Sequence, residues 1–481
     1  MPSIFNSSLT LDEVISKLKD VKSTVHFLGI LGSGCYPLAK LLRRRGYTVS
    51  GTDAGAERDL YVDADGIEIA RFRSGIPHGT ALLVYSLAIS EDDPEILSAR
   101  KRGVTTVSRA QLLGALMSEY PTRISVSGSH GKSTTTALIE HILAVAEISH
   151  TAVSGATLAS GQAYKDERGD IFVAEACEYK DSFLQLHPTL QLITSVELDH
   201  TDYFPTLADI SASFMSAAKM ANIALINTDD TAARSIIDEL RTQRNGIKVP
   251  TPHTRVAITE EKTLVTYGKG PDADYRLHSV KIRGELTELS VSIGDRCIDL
   301  MTPLIGEYNL YNVTAAVAVA DMLGVDFERI RHAVSGFRGI ARRASLVAHV
   351  GGAPVYYDYA HHPSELTAVI SALKARYGTL TVIFRPHTYS RTQSLFDGFV
   401  KALTLADHAV LLDVYAAREK PIDGVDSKRL AKSIDNALYC ADASTAASLA
   451  VSYGSGAIAL LGAGEVNTVL SDLIQLGNNE N

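Results

Sequence analysis

The chain has 481 residues, a formal net charge of −9 at pH 7, 46% hydrophobic residues and a mean hydropathy of +0.06. This length suggests about three globular domains, and the acidic balance argues against a nucleic-acid or acidic-membrane binder, whose surface is basic. The four cysteines are widely spaced, without a CxxC pair, which favours reduced thiols and a cytoplasmic location. We find no signal-peptide pattern and no run of about 18 apolar residues, so we expect neither secretion nor a membrane span.

The first domain, predicted over residues 1–120, follows a doubly wound α/β pattern. A short amphipathic helix at 11–19 precedes a strand–glycine loop–helix–strand unit, with strands at 25–28, 47–50, 81–85 and 104–107 and a helix at 37–45. Its loop has Gly29, Gly32 and Gly34, which is G-x-x-G-x-G and differs from the dinucleotide spacing G-x-G-x-x-G. Asp53 lies near the distance where an acid holds a ribose hydroxyl. A tight turn without a ligand, a dinucleotide and a nucleotide diphosphate such as a UDP-linked substrate all remain open from this pattern.

The second domain, predicted over residues 121–338, begins with the most informative stretch of the chain. A strand at 124–126 meets the loop Gly128–Gly131, then Lys132-Ser133 and a helix to Val145. A strand, a glycine loop and a helix start place backbone N–H groups around a phosphate. The loop lacks the first glycine of the common G-x-x-x-x-G-K-[ST] motif, because Val126 stands there. We nevertheless predict that Lys132 approaches the β- and γ-phosphates of ATP and that Ser133 reaches Mg²⁺.

Polar residues follow further strands of this domain, which we expect at 170–174, 190–194 and 223–226, before an antiparallel insert at 253–300 and a helix at 312–323. Glu175 and Glu178 follow the first of these strands, where a Mg²⁺ ligand or catalytic group would sit, although solvated loop acids are equally typical. His200, after the next strand, is a metal-ligand candidate or a structural histidine. Asn309 and Asn312 precede a helix and could be caps only.

A third α/β domain, predicted over residues 339–481, has strands at 354–357, 379–384, 408–412 and 457–461. Arg342-Arg343 lies at its start, either as a solvated pair or reaching toward phosphate. Polar clusters follow two of its strands, one from Asp358 to Pro363 and one from Arg385 to Thr392. The carboxyl ends of parallel strands share an edge, so we expect both clusters at one rim.

Together these segments resemble the Mur ligases, in the family's order and over nearly the whole chain. The resemblance implies three α/β domains: an N-terminal Rossmann-like domain, a central P-loop ATPase-type domain with a small antiparallel insert, and a C-terminal Rossmann-like domain. The clusters at 358–363 and 387–392 are most similar to the alanine-adding members. The implied activity is ATP-dependent joining of L-alanine to the carboxylate of UDP-N-acetylmuramate through an acyl phosphate, in peptidoglycan precursor synthesis. The implied partners are these substrates, with ATP and Mg²⁺, in a monomer or weak homo-oligomer.

The resemblance also assigns roles to individual residues. It implies catalytic roles for Lys132, Glu175, His200 and Arg343. It places one Mg²⁺ on Ser133 and Glu175 and a second on His200. The implied ATP contacts are Gly128, Ser129, His130, Gly131, Lys132, Ser133, Thr134, Asn309, Asn312, Arg343, Asp358 and His361. The implied substrate contacts are Gly32, Ser33, Gly34, Asp53 and Ser86 for the UDP-sugar, and Tyr359, His387 and Arg391 for the amino acid.

Four positions depart from the family pattern: Cys177 stands for an acid, Tyr308 for a histidine, Arg385 for a glutamine and Arg418 for a glycine. None of them removes a proposed metal ligand or the phosphate lysine, but they leave amino-acid preference open. The alternatives to this function are a sibling ligase that adds a preformed peptide, a nicotinamide-dependent oxidoreductase using the first glycine loop, and a non-catalytic nucleotide-binding regulator. We also expect the third domain to close over the second, with 336–339 as part of the hinge.

Overall fold

The computed structural model describes residues 11–18, 24–71, 75–90, 92–158, 161–242, 262–341, 343–417, 419–462 and 467–479. Three β-sheets, each with helices between its strands, account for most of this chain. The predicted α/β class with three sheet-based parts is therefore confirmed. Within the described residues, no helix combines the length and the apolar character needed to cross a membrane.

The first sheet has six strands in the order β3-β4-β2-β1-β5-β6. β1 lies between β2 and β5 and is parallel to both, so the strand order reverses on either side of it. A ligand crevice forms at such a point, and the first glycine loop follows β1 directly. The strands are β1 (Thr24–Leu28), β2 (Thr48–Thr52), β3 (Leu60–Val62), β4 (Glu68–Ala70), β5 (Thr80–Tyr85) and β6 (Thr105–Ser108), and the helices are α1 (Leu11–Leu18), α2 (Tyr36–Arg44), α3 (Pro94–Lys101) and α4 (Arg109–Ser118).

The second sheet has ten strands in the order β16-β15-β14-β13-β12-β11-β7-β10-β8-β9. Its centre is parallel and its strands are buried on both faces, as their unbroken runs of apolar residues predict. The strands are β7 (Thr122–Ser127), β8 (His150–Val153), β9 (Tyr164–Asp166), β10 (Ile171–Glu175), β11 (Leu190–Ile193), β12 (Ile223–Asn227), β13 (Thr263–Gly268), β14 (Tyr275–Arg283), β15 (Leu286–Ile293) and β16 (Arg296–Thr302). The helices are α5 (Lys132–Val145), α6 (Leu207–Met220), α7 (Thr231–Thr242), α8 (Glu307–Met322) and α9 (Phe327–Gly336), with a 3₁₀ turn at Tyr179–Gln185.

The third sheet has six strands in the order β17-β18-β22-β19-β20-β21. Its edge strand β17 runs antiparallel to β18, and the four other described strand pairs are parallel. The strands are β17 (Ser345–Val350), β18 (Ala353–Asp358), β19 (Leu380–Arg385), β20 (His408–Leu411), β21 (Ala437–Tyr439) and β22 (Ala457–Gly462), and the helices are α10 (Pro363–Tyr377), α11 (Tyr389–Ser394), α12 (Phe396–Leu403), α13 (Ser427–Lys432), α14 (Ala443–Ser452) and α15 (Asn467–Asn479).

The chain forms two compact units. The first comprises Met1–Ser279, Leu289–Leu300 and Tyr311–Ser335, and the second comprises Val280–Glu288, Met301–Leu310 and Gly336–Asn481. In the first unit, one continuous hydrophobic core joins side chains of the first and second sheets, from Val25 on β1 to Ile226 on β12. The first and second sheets therefore share a core, and burial of this apolar surface stabilises them together.

The insert of the second sheet differs in one detail from the sequence prediction. The insert expected to be antiparallel from residue 253 begins in parallel pairing, since β13 runs parallel to β12 and β14 pairs in parallel with β13 at its start. Two-residue turns at 284–285 and 294–295 then connect β14, β15 and β16, which is the connection of antiparallel hairpins. Residues 253–261, Arg342 and Arg418 lie outside the described residues.

Candidate active site

Three loops of the second sheet meet at one edge because their strands are neighbours. β7 lies between β10 and β11, and the three strands are parallel, so their carboxyl ends lie on the same side. Lys132 follows β7, Glu175 ends β10 and His200 follows β11. The topology thus brings together the three residues of this region to which the resemblance gives a catalytic role.

The loop after β7 has the backbone shape of an anion site. α5 begins at Lys132, and Gly128 and Gly131 before it have φ angles of 137° and 84°. A Cβ at Gly131 would lie 2.4 Å from Asn312 Oδ1, so both the positive φ and the close approach of α8 require glycine. The unpaired N–H groups of the first helical turn and the helix dipole favour a phosphate at this loop.

Ser129 and His130 form hydrogen bonds between the loop and residues 195–197, which follow β11. The backbone N–H of Ser129 donates to the Ser195 carbonyl at 2.9 Å, and that of His130 donates to Ser195 Oγ at 3.0 Å. Glu197 donates its backbone N–H to Ser129 Oγ at 2.8 Å, and its carboxylate lies 3.4 Å from His130 Nε2. Thr134, in the first turn of α5, is buried. These contacts fix the loop before any phosphate binds.

Lys132 is paired with a carboxylate that the resemblance left without a role. Its ammonium lies 2.9 Å and 3.1 Å from the two carboxylate oxygens of Glu178 and also donates to the carbonyls of Gly128 and Ser129. Burial alone would lower the pKa of Lys132, but the Glu178 carboxylate raises it above its ordinary value. Lys132 is therefore a permanent cation. The sequence feature that could have identified Glu178 as a partner of Lys132 is its position, three residues after Glu175 at the end of β10.

Ser133 and Glu175 form a group of oxygen atoms beside Lys132. The Ser133 hydroxyl donates to Glu175 Oε1 at 2.9 Å. The other carboxylate oxygen accepts from the Ser154 hydroxyl at 2.6 Å and from the Gly155 backbone N–H at 2.8 Å. These contacts orient the Glu175 carboxylate, and its oxygens together with the Ser133 hydroxyl are of the kind that Mg²⁺ takes as ligands.

His200 lies next to Glu178 in a constrained segment. Its Nε2 is 3.8 Å from Glu178 Oε1, and its ring packs on Tyr179 with centroids 4.8 Å apart. Its φ angle of 52° is uncommon for a residue with a side chain. Burial and a hydrogen bond to Asp202 raise the pKa of the Tyr179 hydroxyl to about 12, so this ring stays neutral. The nearby thiol of Cys177 is also neutral, because burial raises its pKa.

The first glycine loop is shaped by Asp53. The Asp53 carboxylate accepts from the backbone N–H groups of Leu31 and Gly55 at 2.9 Å and 2.8 Å, so it supports the loop directly. Ser86 follows β5, and its backbone N–H donates to the Leu28 carbonyl at 3.2 Å. Gly32 and Ser33 are exposed within the loop.

Sequence reasoning missed Arg109, the first residue of α4. Its guanidinium lies against Gly34, where a Cβ would be 2.8 Å from Arg109 Cδ. The same cation lowers the pKa of the Cys35 thiol, although burial dominates and raises that pKa to about 11. Arg109 directly follows β6, which ends at Ser108. A basic residue after a strand of this sheet is the sequence feature that could have identified it as a neighbour of the glycine loop. Arg109 gives the glycine loop a positive charge.

Neither asparagine of α8 is a helix cap, because the helix begins at Glu307. In the second unit, the Asn309 amide is buried and donates to the Ile305 carbonyl at 2.8 Å. In the first unit, Asn312 is buried with its side-chain oxygen toward Gly131, as described above. The simpler reading of these residues as caps is wrong.

In the second unit, Asp358 is a buried carboxylate at the end of β18. It accepts from the backbone N–H groups of Ala344 and Ala360 at 2.6 Å and 2.7 Å. Burial raises its pKa to about 6, against the opposing effect of Arg343. Burial also raises the pKa of the neighbouring Tyr308 hydroxyl, next to the Asp358 charge. Tyr308, the departure from the family histidine, is thus a neutral neighbour of this carboxylate.

Glu365 organises the start of α10. It accepts from the backbone N–H of His361 at 2.9 Å and lies 3.6 Å from Arg343 Nη1. His361 Nδ1 lies 2.8 Å from the Tyr359 carbonyl, which orients the imidazole. Burial lowers the pKa of His361, so its ring is neutral at physiological pH.

The two polar clusters of the second unit meet, as predicted from their places at strand ends. The rings of His361 and His387 are 5.7 Å apart, although β22 lies between β18 and β19. Arg391 donates to His387 Nδ1 at 2.9 Å, and burial together with this cation lowers the pKa of His387 to about 4. Tyr415 stacks on His387 at 5.8 Å, and the Arg385 guanidinium lies 5.5 Å from the Tyr415 ring centroid. This rim therefore combines two guanidinium groups with two neutral imidazoles.

Comparisons with known proteins agree with this architecture. The chain matches three models of one family: "Mur ligase family, catalytic domain" over 24–121, "Mur ligase middle domain" over 126–320 and "Mur ligase, glutamate ligase domain" over 342–464. UDP-N-acetylmuramate–L-alanine ligase of Caldicellulosiruptor bescii is 34% identical over 463 residues, which are 93% of this chain and 98% of that protein. The chain belongs to the Mur ligase family. The resemblance predicted from the motifs is confirmed.

Two further Mur ligases extend the comparison. UDP-N-acetylmuramate–L-alanine ligase of Syntrophotalea carbinolica is 35% identical over 459 residues, covering 92% of this chain and 95% of the relative. The crystal structure of UDP-N-acetylmuramate–alanine ligase from Thermotoga maritima matches with a TM-score of 0.73 and 22% identity, over 95% of this chain and all of that one. At this identity the structural match supports the shared fold alone.

Proposed function

We propose that the chain is an ATP-dependent ligase that joins L-alanine to the carboxylate of UDP-N-acetylmuramate. The observation that carries this proposal is the convergence of the phosphate loop, Glu175 and His200 at one sheet edge, in a Mur ligase related over nearly its whole length to alanine-adding enzymes. The proposed reaction proceeds through an acyl phosphate. We place the reaction in the cytoplasm, where ATP and reduced cysteines are both found. We expect the enzyme to be a monomer or a weak homo-oligomer.

The chemical problem is the repulsion between a carboxylate and a triphosphate. Lys132 is positioned to neutralise charge on the transferred phosphoryl group, and the start of α5 supplies backbone N–H groups to the same end. The pairing of Ser133 with Glu175 fits a magnesium ion, and His200 beside Glu178 would hold a second. When bound, magnesium neutralises the phosphate and carboxylate charges that oppose the attack. The chain's own contribution is to fix these ligands before substrate binds.

We assign the UDP-sugar to the first glycine loop, through Gly32, Ser33 and Gly34, with Asp53 supporting the loop and Ser86 beside it. The exposed backbone of the loop and the Arg109 cation against Gly34 favour a diphosphate. The NAD-dependent reading leaves the lysine loop without a role. This assignment rests on the residues and on the resemblance.

We assign the amino acid to the rim around His387 and Arg391, with Tyr359 nearby. A guanidinium is suited to the α-carboxylate of the amino acid. Because Arg391 donates to Nδ1, the neutral His387 ring carries its proton on Nε2, where it can donate a hydrogen bond to a carboxylate oxygen of the amino acid. ATP contacts in the second unit are assigned to Asn309, Arg343, Asp358 and His361.

The proposal is tested by measuring phosphate released from ATP with UDP-N-acetylmuramate present, with and without L-alanine. We expect release that needs both substrates and forms UDP-N-acetylmuramoyl-alanine, identified by mass. Release supported by a preformed peptide and not by alanine would instead assign the chain to a peptide-adding sibling. ATP binding without turnover under all these conditions would support the non-catalytic regulator.

A further inference from the structure

Glu178 is a buried carboxylate that serves two functional residues at once. Its side chain is 1% exposed, with both oxygens within 3.1 Å of Lys132 Nζ and one oxygen 3.8 Å from His200 Nε2. Lys132 and His200 come from loops after different strands, β7 and β11. Glu178 thus lies where the phosphate lysine and the candidate metal histidine come together.

The hydrogen bonds of Lys132 are already filled by the protein. A lysine ammonium has three donors, and here it faces the Glu178 carboxylate and the carbonyls of Gly128 and Ser129. To bind a phosphate, Lys132 must give up some of these contacts. If it leaves Glu178, a carboxylate with almost no solvent access loses its cation, which is strongly unfavourable. The protein therefore needs a replacement positive charge at Glu178.

Among the described residues, His200 is the second ionic neighbour of Glu178, and the backbone holds that histidine in place. His200 has a φ angle of 52°, and Lys180 and Asp181, just after Glu178, have φ angles of 52° and 56°. Such conformations are costly and persist where surrounding contacts impose them. Here Tyr203 donates to the Asp181 carboxylate at 2.6 Å. A carboxylate and an imidazole held this way are suited to share a divalent cation.

We propose that Glu178 is a positioning residue that ties the movement of Lys132 toward ATP to the binding of a divalent cation at His200. While the cation is absent, Glu178 retains Lys132. With the cation bound, the carboxylate is neutralised and Lys132 is released to the phosphates. This inference rests on the proposed function for its nucleotide and cation, but not on which acid and amine are joined.

The test is nucleotide affinity with and without metal, measured by calorimetry with ATP in EDTA and in MgCl₂ and no other substrate. In EDTA, Glu178→Gln should bind ATP on the order of tenfold more tightly than the natural protein. When Lys132 moves to the phosphates in this variant, it leaves a neutral amide behind and not an unpaired buried carboxylate. The gain in affinity on adding magnesium should be smaller in the variant. The double variant Glu178→Gln with Lys132→Met should lose the gain seen in EDTA.

Glu175→Gln is the matched control, since this neighbouring carboxylate contacts Ser133. Because Glu175 acts on Lys132 only through its charge, this variant should raise metal-free affinity by less than Glu178→Gln does, while weakening the magnesium effect. His200→Gln tests the other partner of Glu178: the gain in ATP affinity on adding magnesium should be smaller than in the natural protein. This variant decides the matter if Glu178→Gln does not fold, as judged by its melting curve.

The outcomes separate this inference from the proposed function. If the natural protein binds Mg-ATP but folded Glu178→Gln has unchanged or weaker metal-free affinity, Glu178 is a structural partner only and the inference is wrong. An unaltered magnesium effect in His200→Gln would overturn it as well. If the natural protein binds no ATP under either condition, it is the proposed function that fails.

Discussion

Arg45 offers the sharpest test of how the first unit is held together. Its side chain, at the end of α2, is 9% exposed and donates to both carboxylate oxygens of Asp166 on β9, at 3.1 Å and 2.9 Å. It also donates to the Tyr120 hydroxyl at 2.6 Å. Asp166 is 3% exposed. The pair therefore joins the end of a helix of the first sheet to a strand of the second.

Arg45→Met should lower the free energy of unfolding of this unit by about 3–5 kcal/mol at pH 7.5, the usual cost of removing one partner from a buried ion pair. The sign with pH follows from Asp166. Burial raises its pKa, but Arg45 more than offsets this and holds the pKa below the ordinary value. Without Arg45 the burial effect remains, so Asp166 takes up a proton more readily as the pH falls. The loss should therefore be largest at neutral pH and smaller near pH 5.

Urea denaturation at pH 7.5 and pH 5 measures both effects. Arg44→Met is the control, because Arg44 is exposed on the same helix and should cost no more than about 0.5 kcal/mol. The double variant Arg45→Met with Asp166→Leu should recover most of the loss, since no buried charge is then left unpaired. A loss below about 1 kcal/mol at pH 7.5, or one that does not change with pH, would refute this reasoning.

Three further predictions concern the candidate sites. Lys132→Ala should abolish phosphate release in the turnover assay while UDP-N-acetylmuramate binding, followed by calorimetry, stays within about twofold; loss of both would point to misfolding or a wrong site. Burial raises the pKa of Asp358 to about 6, against an ordinary value of 3.8, so this carboxyl binds a proton more readily in the folded state. The free energy of unfolding, relative to that of Asp358→Asn, should therefore fall as the pH rises from about 4 to about 6. A rise in this difference, measured by urea denaturation of both proteins, would contradict the prediction. Arg391→Gln should raise the KM for L-alanine at least about tenfold, and an unchanged KM would remove Arg391 from the amino-acid site. The same variant should raise the pKa of His387 from about 4, measured by NMR of the imidazole, because the Arg391 cation helps to lower it.

The sequence was most informative for the segment in which a strand, a glycine loop and a helix follow one another, around Gly128 and Lys132. The strand before Gly128 and the helix from Lys132 were both predicted, and so was the placement of Glu175 and His200 at strand ends. These predictions depend on local patterns and on a general rule of parallel sheets. The family, the α/β class and the ligase activity followed from the same motifs and are confirmed by the comparisons.

What the sequence did not reveal depends on contacts between distant segments. Glu178 was noticed as an acid after a strand, but its pairing with Lys132 requires the fold. Arg109 reaches the first glycine loop from 75 positions further along the chain than Gly34. The order of the third sheet, with β22 between β18 and β19, comes from the last strand of the chain entering the middle of the sheet. Pairing of this kind is non-local, and no pattern within a short window specifies it.

The measurement that tests the central claim most directly is isotope transfer during turnover. UDP-N-acetylmuramate labelled with ¹⁸O in its carboxylate should be converted with ATP and L-alanine, and the released phosphate analysed by mass. Attack of the carboxylate on the γ-phosphate followed by displacement by the amine predicts one ¹⁸O in each phosphate and one retained in the new amide. Formation of the amide with only unlabelled phosphate, and with the lost ¹⁸O found in AMP or in water instead, would contradict an acyl-phosphate ligase at the Lys132 site.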